Sequence, residues 1–443
     1  VILRENMDIL DKVDKVEWTE THTLLFTSLI LGFFMWGTIG TIAPLLYPSV
    51  NNVFFILAPI LATLAGTLIF PHISDRRYGR KKTFMITMSM YGAGALIIGI
   101  ISVLSIVTRT SLTSPLMLVP LTVGIVLGVL GVEGEVPVML SYAAEMMPLR
   151  RREQILILAP NFDNVGAMIA SAVVILSSSL GPSVELLTLS LTALIGLLFL
   201  ALVRFRLPES VRWLYSKGKI EQAKAEILKL GEKTEDIQEK EKVRKVSLFS
   251  RYWFLVAIGI SQYLTYGLMA YYIGDFYFPS LENYIVLIAN VGASAAGFLA
   301  GFLINYVKSK MFSLFSFLGG TVTMIAILLT IDSITYDMTL FYGLLLLNMA
   351  FSEFGWAVRT IYEPLILPNN NRAFLIGLVR VFPITLNSIS VYFLSFSNSP
   401  VVYVLYNTGL WALGAIASIL WYYKGYDVNL TPIEVSSQSK VLS

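Results

Sequence analysis

The chain has 443 residues, of which 56% are hydrophobic and only 14% charged, with no cysteine and a formal net charge of +3. So apolar a composition excludes a soluble globular protein of this size and indicates an integral membrane protein. The small net charge, with Lys and Arg confined to short loops, gives no reason to expect a nucleic-acid partner, and without cysteine there is no disulfide or thiol chemistry.

Between Glu20 and Asp75, and again between Arg380 and Lys424, there is no Asp, Glu, Lys or Arg. Each interval is long enough for two spans of ~20 residues joined by a tight turn, a length that fits α-helices rather than the ~10-residue alternating strands of a barrel. Apolar runs place spans near residues 23–47, 53–74, 83–107, 116–147, 154–181 and 186–205, then 250–278, 283–306, 311–331, 338–367, 373–396 and 401–423. The expected fold is all-α, with twelve transmembrane helices in two pseudo-symmetric six-helix bundles.

The predicted organisation is an N-terminal segment (1–22), a first bundle (23–205), a linker (206–247), a second bundle (248–423) and a tail (424–443). Within the linker, Ile220, Ala223, Ile227 and Leu230 fall at helical spacing, which predicts an amphipathic helix followed by a mobile, Lys- and Glu-rich stretch. The first span is expected to serve as its own insertion signal.

Basic residues set the sidedness. Arg76, Arg77, Arg80, Lys81, Lys82, Arg150, Arg151, Arg152, Lys308, Lys310 and Arg372 all fall on one face with the linker, whereas the other carries essentially Arg109. By the positive-inside rule both termini are cytoplasmic, in a multi-pass protein of the plasma membrane. The outer loops are then expected to hold Glu185, Asp275, Glu282, Asp332 and Asp337.

An internal repeat supports the two-bundle reading. Glu135 and Glu145 on the fourth span recur at the same separation as Glu353 and Glu363 on the tenth, followed by Arg152 and Arg372. Duplicated halves are what a rocking transporter needs, with solute bound between them near the midplane.

Charges inside spans cost about 2.5 to 3.5 kcal/mol each on insertion scales, so they are the first functional candidates. Glu133 and Glu135 lie two positions apart on a helix turning ~100° per residue, so only one faces a central cavity. With Asp163 on the fifth span, they are the candidate proton-exchanging carboxyls. Arg380 on the eleventh span is the repeat counterpart of the Asp163 region. Either it pairs with Asp163 across the cavity or it grips an anionic solute group while Asp163 takes the proton. Asn161, Gln262, Tyr266, Tyr271, Asn387, Trp356 and Glu353 complete the candidate solute site, with Asn290, Asn348 and Trp36 as further polar or stacking surfaces. Glu353 and Arg359 are each expected to find a partner on another helix.

Asp75, Arg76, Gly79, Arg80, Glu145, Arg152, Glu209, Arg212, Glu363 and Arg372 all fall near the cytoplasmic ends of helices. Ion pairs among them that form and break would give the bistable gate that alternating access requires. There is no P-loop or metal cluster and no nucleophile beside a base, and His22 and His72 are the only histidines. No cofactor, metal or enzymatic activity is therefore expected.

Three motifs carry a resemblance. Asp75-Arg76-Arg77-Tyr78-Gly79-Arg80-Lys81 resembles the D-R-x-G-R-K loop signature of the major facilitator superfamily, with Pro71 in place of its leading Gly. Glu145 to Arg152 resembles the E-x-x-P-x-x-x-R end of the fourth helix, and Pro208 to Leu214 the P-E-S-P-R-W-L after the sixth, both typical of the sugar porter and metabolite:proton symporter branch. Gly134-Glu135-Val136-Pro137 is more similar to the metabolite:proton symporters.

The resemblance departs where the first span reads Phe33-Phe34-Met35-Trp36-Gly37-Thr38, without the usual acid, and where Gly267 stands for an Asn on the seventh. It implies a monomeric secondary transporter working by alternating access, with protons as co-substrate and the lipid bilayer as surroundings. Arg380 and the G-E-V-P segment favour an organic acid or anion over a sugar. An uncoupled facilitator, a proton-driven exporter and a non-transporting solute sensor are the alternatives.

Overall fold

The computed structural model describes residues 2–240, 242–333 and 338–438. Among them, twelve helices are long and apolar enough to cross a membrane. They are α1 (Glu20–Val50), α2 (Val53–Ile73), α3 (Gly79–Thr108), α4 (Pro115–Met146), α5 (Leu149–Leu180), α6 (Pro182–Arg204), α7 (Leu248–Tyr277), α8 (Glu282–Leu303), α9 (Ser309–Thr330), α10 (Met338–Ile366), α11 (Arg372–Leu394) and α12 (Pro400–Lys424). By hydropathy alone α2 and α3 read as one stretch of 56 residues. At about 1.5 Å per residue that is nearly three times the ~30 Å bilayer core, so it must fold back on itself, and it does so at Ser74–Tyr78.

Local chemistry sets the helix ends. Pro115, Pro182 and Pro400 occupy first-turn positions where the missing N–H costs nothing. Asn52 caps α2 by accepting from Phe54 N at 3.0 Å, and Ser399 caps α12 by accepting from Val402 N at 3.3 Å.

Helix α1 is 72% buried and α6 only 33%. The outer faces of α3, α6, α9 and α12 expose Ile100, Val107, Leu198, Leu202, Val322, Leu329, Ile416 and Leu420 to what would be lipid. Across the halves, α2 packs on α11 and α5 on α8. A shift of six helices exchanges these two contacts, so the internal repeat is visible in the interface itself.

Pro71 gives α2 no small residue at that point, yet α2 still meets α11 closely because Gly377 supplies the space. A Cβ there would run into the Thr67 carbonyl.

The expectation of a mobile stretch after Ile220–Leu230 is corrected. Glu235 N donates to Lys15 O at 2.7 Å and Lys240 N to Leu430 O at 3.1 Å, so the chain is bonded to segments at both ends of the sequence. The expectation of Asp275 and Glu282 in a loop also fails. They lie within α7 and at the first residue of α8, and both are buried. A wide helical turn at Leu268–Tyr272 carries α7 further than hydropathy indicated. Asp337 lies outside the described residues, as do residue 241 of the linker and 439–443 of the tail.

Candidate functional site

Two buried polar layers lie between the halves. The first is on the face that carries both described ends of the chain. Arg80 is 1% exposed and donates from Nη1 to Asp75 Oδ1 at 2.6 Å and from Nη2 to Glu145 Oε1 at 2.7 Å. Glu145 also receives Ser210 Oγ at 2.6 Å and, from the other half, Arg372 Nη1 at 3.3 Å. Asp75 Oδ2 takes Phe374 N of α11 at 2.7 Å. Glu209 accepts from the backbone N–H of Arg80 at 2.8 Å, satisfying a free amide at the start of α3.

This folding is possible because Gly79 has φ +77 and sits against the Glu209 carboxylate, leaving no room for a Cβ. Arg212 joins Asp14 at 2.8 Å and Glu434 at 3.1 Å, and Arg152 donates to Thr431 O at 2.6 Å.

The electrostatics of Asp14 and Glu434 differ. Burial pushes the Asp14 carboxyl up, with Arg212 and Arg152 only partly offsetting it. Burial acts on Glu434 as well, but the charge and hydrogen bond of Arg212, with Arg372 beyond, outweigh it and hold this carboxyl below the usual range.

Not every expected gate residue joins the layer. Arg76 is exposed and makes no ion pair among the described residues, because the turn that buries Asp75 points Arg76 outward. Glu363 pairs with Arg359 one turn earlier on α10, at 2.7 Å, rather than across the halves.

The second layer surrounds a central cavity whose empty space, solvent-open parts included, is about 950 Å³. Its wall takes Trp36 and Thr41 from α1, Thr63 from α2, Glu133 from α4, and Asp163 and Asn164 from α5. The other half supplies Gln262, Tyr263, Tyr266, Tyr271 and Tyr272 from α7, Glu353, Trp356 and Arg359 from α10, and Asn387 from α11. Two of these tyrosines, Tyr271 and Tyr272, belong to the wide turn in α7.

Arg380 is fully buried and donates from Nη2 to Glu133 Oε2 at 2.9 Å, α11 to α4. Its guanidinium lies 5.7 Å from the Trp36 ring, 5.8 Å from Tyr263 and 6.0 Å from Trp356, and the two indoles are 5.7 Å apart. Arg359 is held by Glu363 and by Gln262 Oε1 at 2.8 Å. Asn164 Nδ2 donates to Glu353 Oε2 at 2.7 Å, joining α5 to α10. Trp356 Nε1, Asn387 Oδ1 and Glu353 Oε1 are buried without a hydrogen-bond partner among the described residues.

Several expectations are therefore corrected. Glu135 does not face the cavity. It pairs with Arg204 of α6 inside the first bundle, with Thr87 Oγ1 bonded to it and Tyr91 OH 2.9 Å from Arg204. Arg380 meets Glu133 and not Asp163, and its Nε and Nη1 have no hydrogen-bond partner among the described residues. Arg359 finds its carboxylate on its own helix. Asn161 donates to Ser294 O at 3.0 Å in the α5–α8 contact, away from the cavity wall. Asn290 stands behind Tyr266, accepting its hydroxyl at 2.7 Å, and Asn348 bonds α9 through Thr323 at 2.8 Å.

Sequence reading passed over Arg204, Tyr263, Asn164, Asp14 and Glu434. The signal for Arg204 was available: a Glu in mid-span needs a counter-ion, and a lone Arg at the end of a neighbouring span can snorkel inward as well as outward.

A family model described as sugar (and other) transporter matches residues 40–276. No curated protein matches the chain. Among solved structures, the chain is similar to the major facilitator superfamily proton:xylose symporter XylE bound to 6-bromo-6-deoxy-D-glucose, at 15% identity over 98% of this chain and 99% of that one, TM-score 0.73. It is also similar to XylE from E. coli in a partially occluded inward-open conformation, at 15% over 92% and 97%, TM-score 0.66. Against the inward-open conformation the figures are 15% over 94% and 98%, TM-score 0.64. These likenesses establish the major facilitator fold.

Proposed function

Because the chain belongs to the sugar (and other) transporter family, we propose that it moves a neutral, polyhydroxylated solute of the sugar class across the membrane by alternating access, in symport with protons. One observation carries the solute class: among the described residues, each guanidinium beside the central cavity already faces a carboxylate. Arg380 is neutralised by Glu133 and Arg359 by Glu363, so the organic anion favoured by the sequence would meet carboxylates and occupied guanidiniums.

The wall suits a sugar instead. Trp36 and Trp356 present flat apolar faces to C–H groups. Trp356 Nε1 and Asn387 Oδ1 await hydroxyls as acceptor and donor. The likeness to a xylose symporter holding a glucose analogue supports this choice.

Alternating access follows from the two layers. The Asp75–Arg80–Glu145–Arg372 network closes the face that we assign to the cytoplasm. At the far end Tyr47 of α1 packs on Phe276 of α7, rings 6.1 Å apart. Rocking about the α2–α11 and α5–α8 contacts would open one end while the other holds.

Purified protein in liposomes tests the reading. Counterflow of radiolabelled D-xylose or D-glucose, with lactate and succinate inactive, supports it. Counterflow of the acids alone sinks the sugar assignment, and saturable binding of a sugar without any flux would instead indicate a sensor.

A further inference from the structure

The charges around the cavity do not balance, and the residue left over points to where a proton sits. Four carboxyls and two guanidiniums lie in or beside the wall. Glu133 takes Arg380 at 2.9 Å and Glu363 takes Arg359 at 2.7 Å. Asp163 and Glu353 have no ion pair among the described residues, although they are only 8% and 2% exposed. Asp163 belongs to one half of the protein and Glu353 to the other, and Asn164 bonds to both. Two buried carboxylates without a cation, bridged by one residue, cannot both ionise without a penalty.

One neutral residue bridges them. The backbone N–H of Asn164 donates to Asp163 Oδ1 at 2.5 Å, and its side-chain Nδ2 donates to Glu353 Oε2 at 2.7 Å. The second oxygen of Glu353 has no hydrogen-bond partner among the described residues. Asp163 stands in the first turn of the helical segment Phe162–Ser177, where the helix dipole favours an anion. Glu353 is in the middle of α10, where no such help exists.

We propose that Asp163 and Glu353 together form the proton-binding site of this transporter, holding a single proton between the two halves, with Glu353 protonated and Asp163 charged while the halves are closed. This rests on the transport reading above. Asn164 belongs to α5 and Glu353 to α10, so rocking separates them. Separation takes the nearby Asp163 charge away from Glu353 and admits water, which together outweigh the loss of the hydrogen bond that Asn164 donates, and Glu353 then ionises. Nothing but a proton is transferred, from the Glu353 carboxyl to water on the newly opened side.

Two experiments test it. In liposomes, Asp163→Asn and Glu353→Gln should each lower the ratio of pH-driven sugar accumulation to sugar counterflow, both measured in the same variant, at least tenfold relative to wild type. Accumulation undiminished in both variants overturns the proposal, and so does a wild type that exchanges sugar but never accumulates it on a pH gradient. If no sugar is exchanged, the transport reading fails, and the site still stands or falls by infrared spectroscopy of the solubilised protein. The difference spectrum of wild type minus either variant at neutral pH should show the carbonyl stretch of one protonated carboxylic acid, with Asp163→Asn plus Glu353→Gln removing no more than either alone. Difference spectra without that band overturn it.

Discussion

Arg380 and Glu133 meet at 2.9 Å across the central cavity, joining the eleventh helix to the fourth. The pair is one of the few charged links between halves that must part for the protein to turn over, and it sits beneath the two facing indoles of Trp36 and Trp356. It holds the closed form together and removes the charge that would otherwise select an anion.

Breaking it from one side should be costly. Arg380→Ala leaves a buried carboxylate, and Glu133→Ala a buried guanidinium, so each should destabilise the closed form by about 3 to 5 kcal/mol. Removing both together should cost less than the sum of the single changes. Thermal unfolding in detergent of the two single variants and the double variant measures the coupling, and additive losses would show that the pair does not interact.

Trp356→Ala should weaken sugar binding about tenfold, given the roughly 0.5 to 1.5 kcal/mol that aromatic packing supplies beyond area, together with a lost N–H donor. Trp356→Phe should retain most of the stacking. Titration calorimetry compares the three. Equal affinity in all of them would remove this indole from the solute site.

Gly79→Ala should loosen the Asp75–Arg80–Glu145 network by about 1 to 3 kcal/mol, because φ +77 with extended ψ is nearly closed to any other residue and the Glu209 carboxylate would have to move. With no native cysteine in the chain, a single Cys placed at Ser74 reports the change directly. Its labelling by a water-soluble maleimide should be faster in the Gly79→Ala background.

The tail segment around Ile433–Ser436 should resist acid. Glu434 is held below its ordinary range, so its contribution is present above the unfolded value of about 4.3 and is lost only as pH falls through the lowered folded value. Asp14, raised by burial, works in the opposite sense: its penalty is relieved as pH falls through its raised value. Docking of the tail should therefore persist through mild acid and fail only below the usual Glu range. Hydrogen exchange of residues 425–438 against pH checks this, and Glu434→Gln should abolish the acid-induced release.

Much of this was legible in the sequence. Twelve spans followed from the spacing of apolar runs, because lipid forces each backbone to bond within its own helix. Gly79, Arg80 and Glu145 were legible as a motif. Asp163, Glu133, Trp36, Gln262 and Asn387 were singled out because polar groups in apolar spans are few.

What stayed illegible was pairing. Which of Glu133 and Glu135 faced inward depended on the rotation of α4 about its axis, and Arg204 decided it by holding Glu135 inside the first bundle. Nor did the repeat predict partners: Glu135 and Glu353 occupy matching positions, yet one binds an arginine of its own half and the other an asparagine of the opposite half.

The sequence by itself determined the membrane, the number of crossings, the two-fold plan and the residues expensive enough to need a reason. Hydropathy and period are local properties, and they survive any arrangement of the helices. Only the tertiary structure decided which charges cancel. A guanidinium on a long flexible stem can reach several carboxylates, and the choice of Glu133 for Arg380 left Asp163 and Glu353 without an ion pair among the described residues.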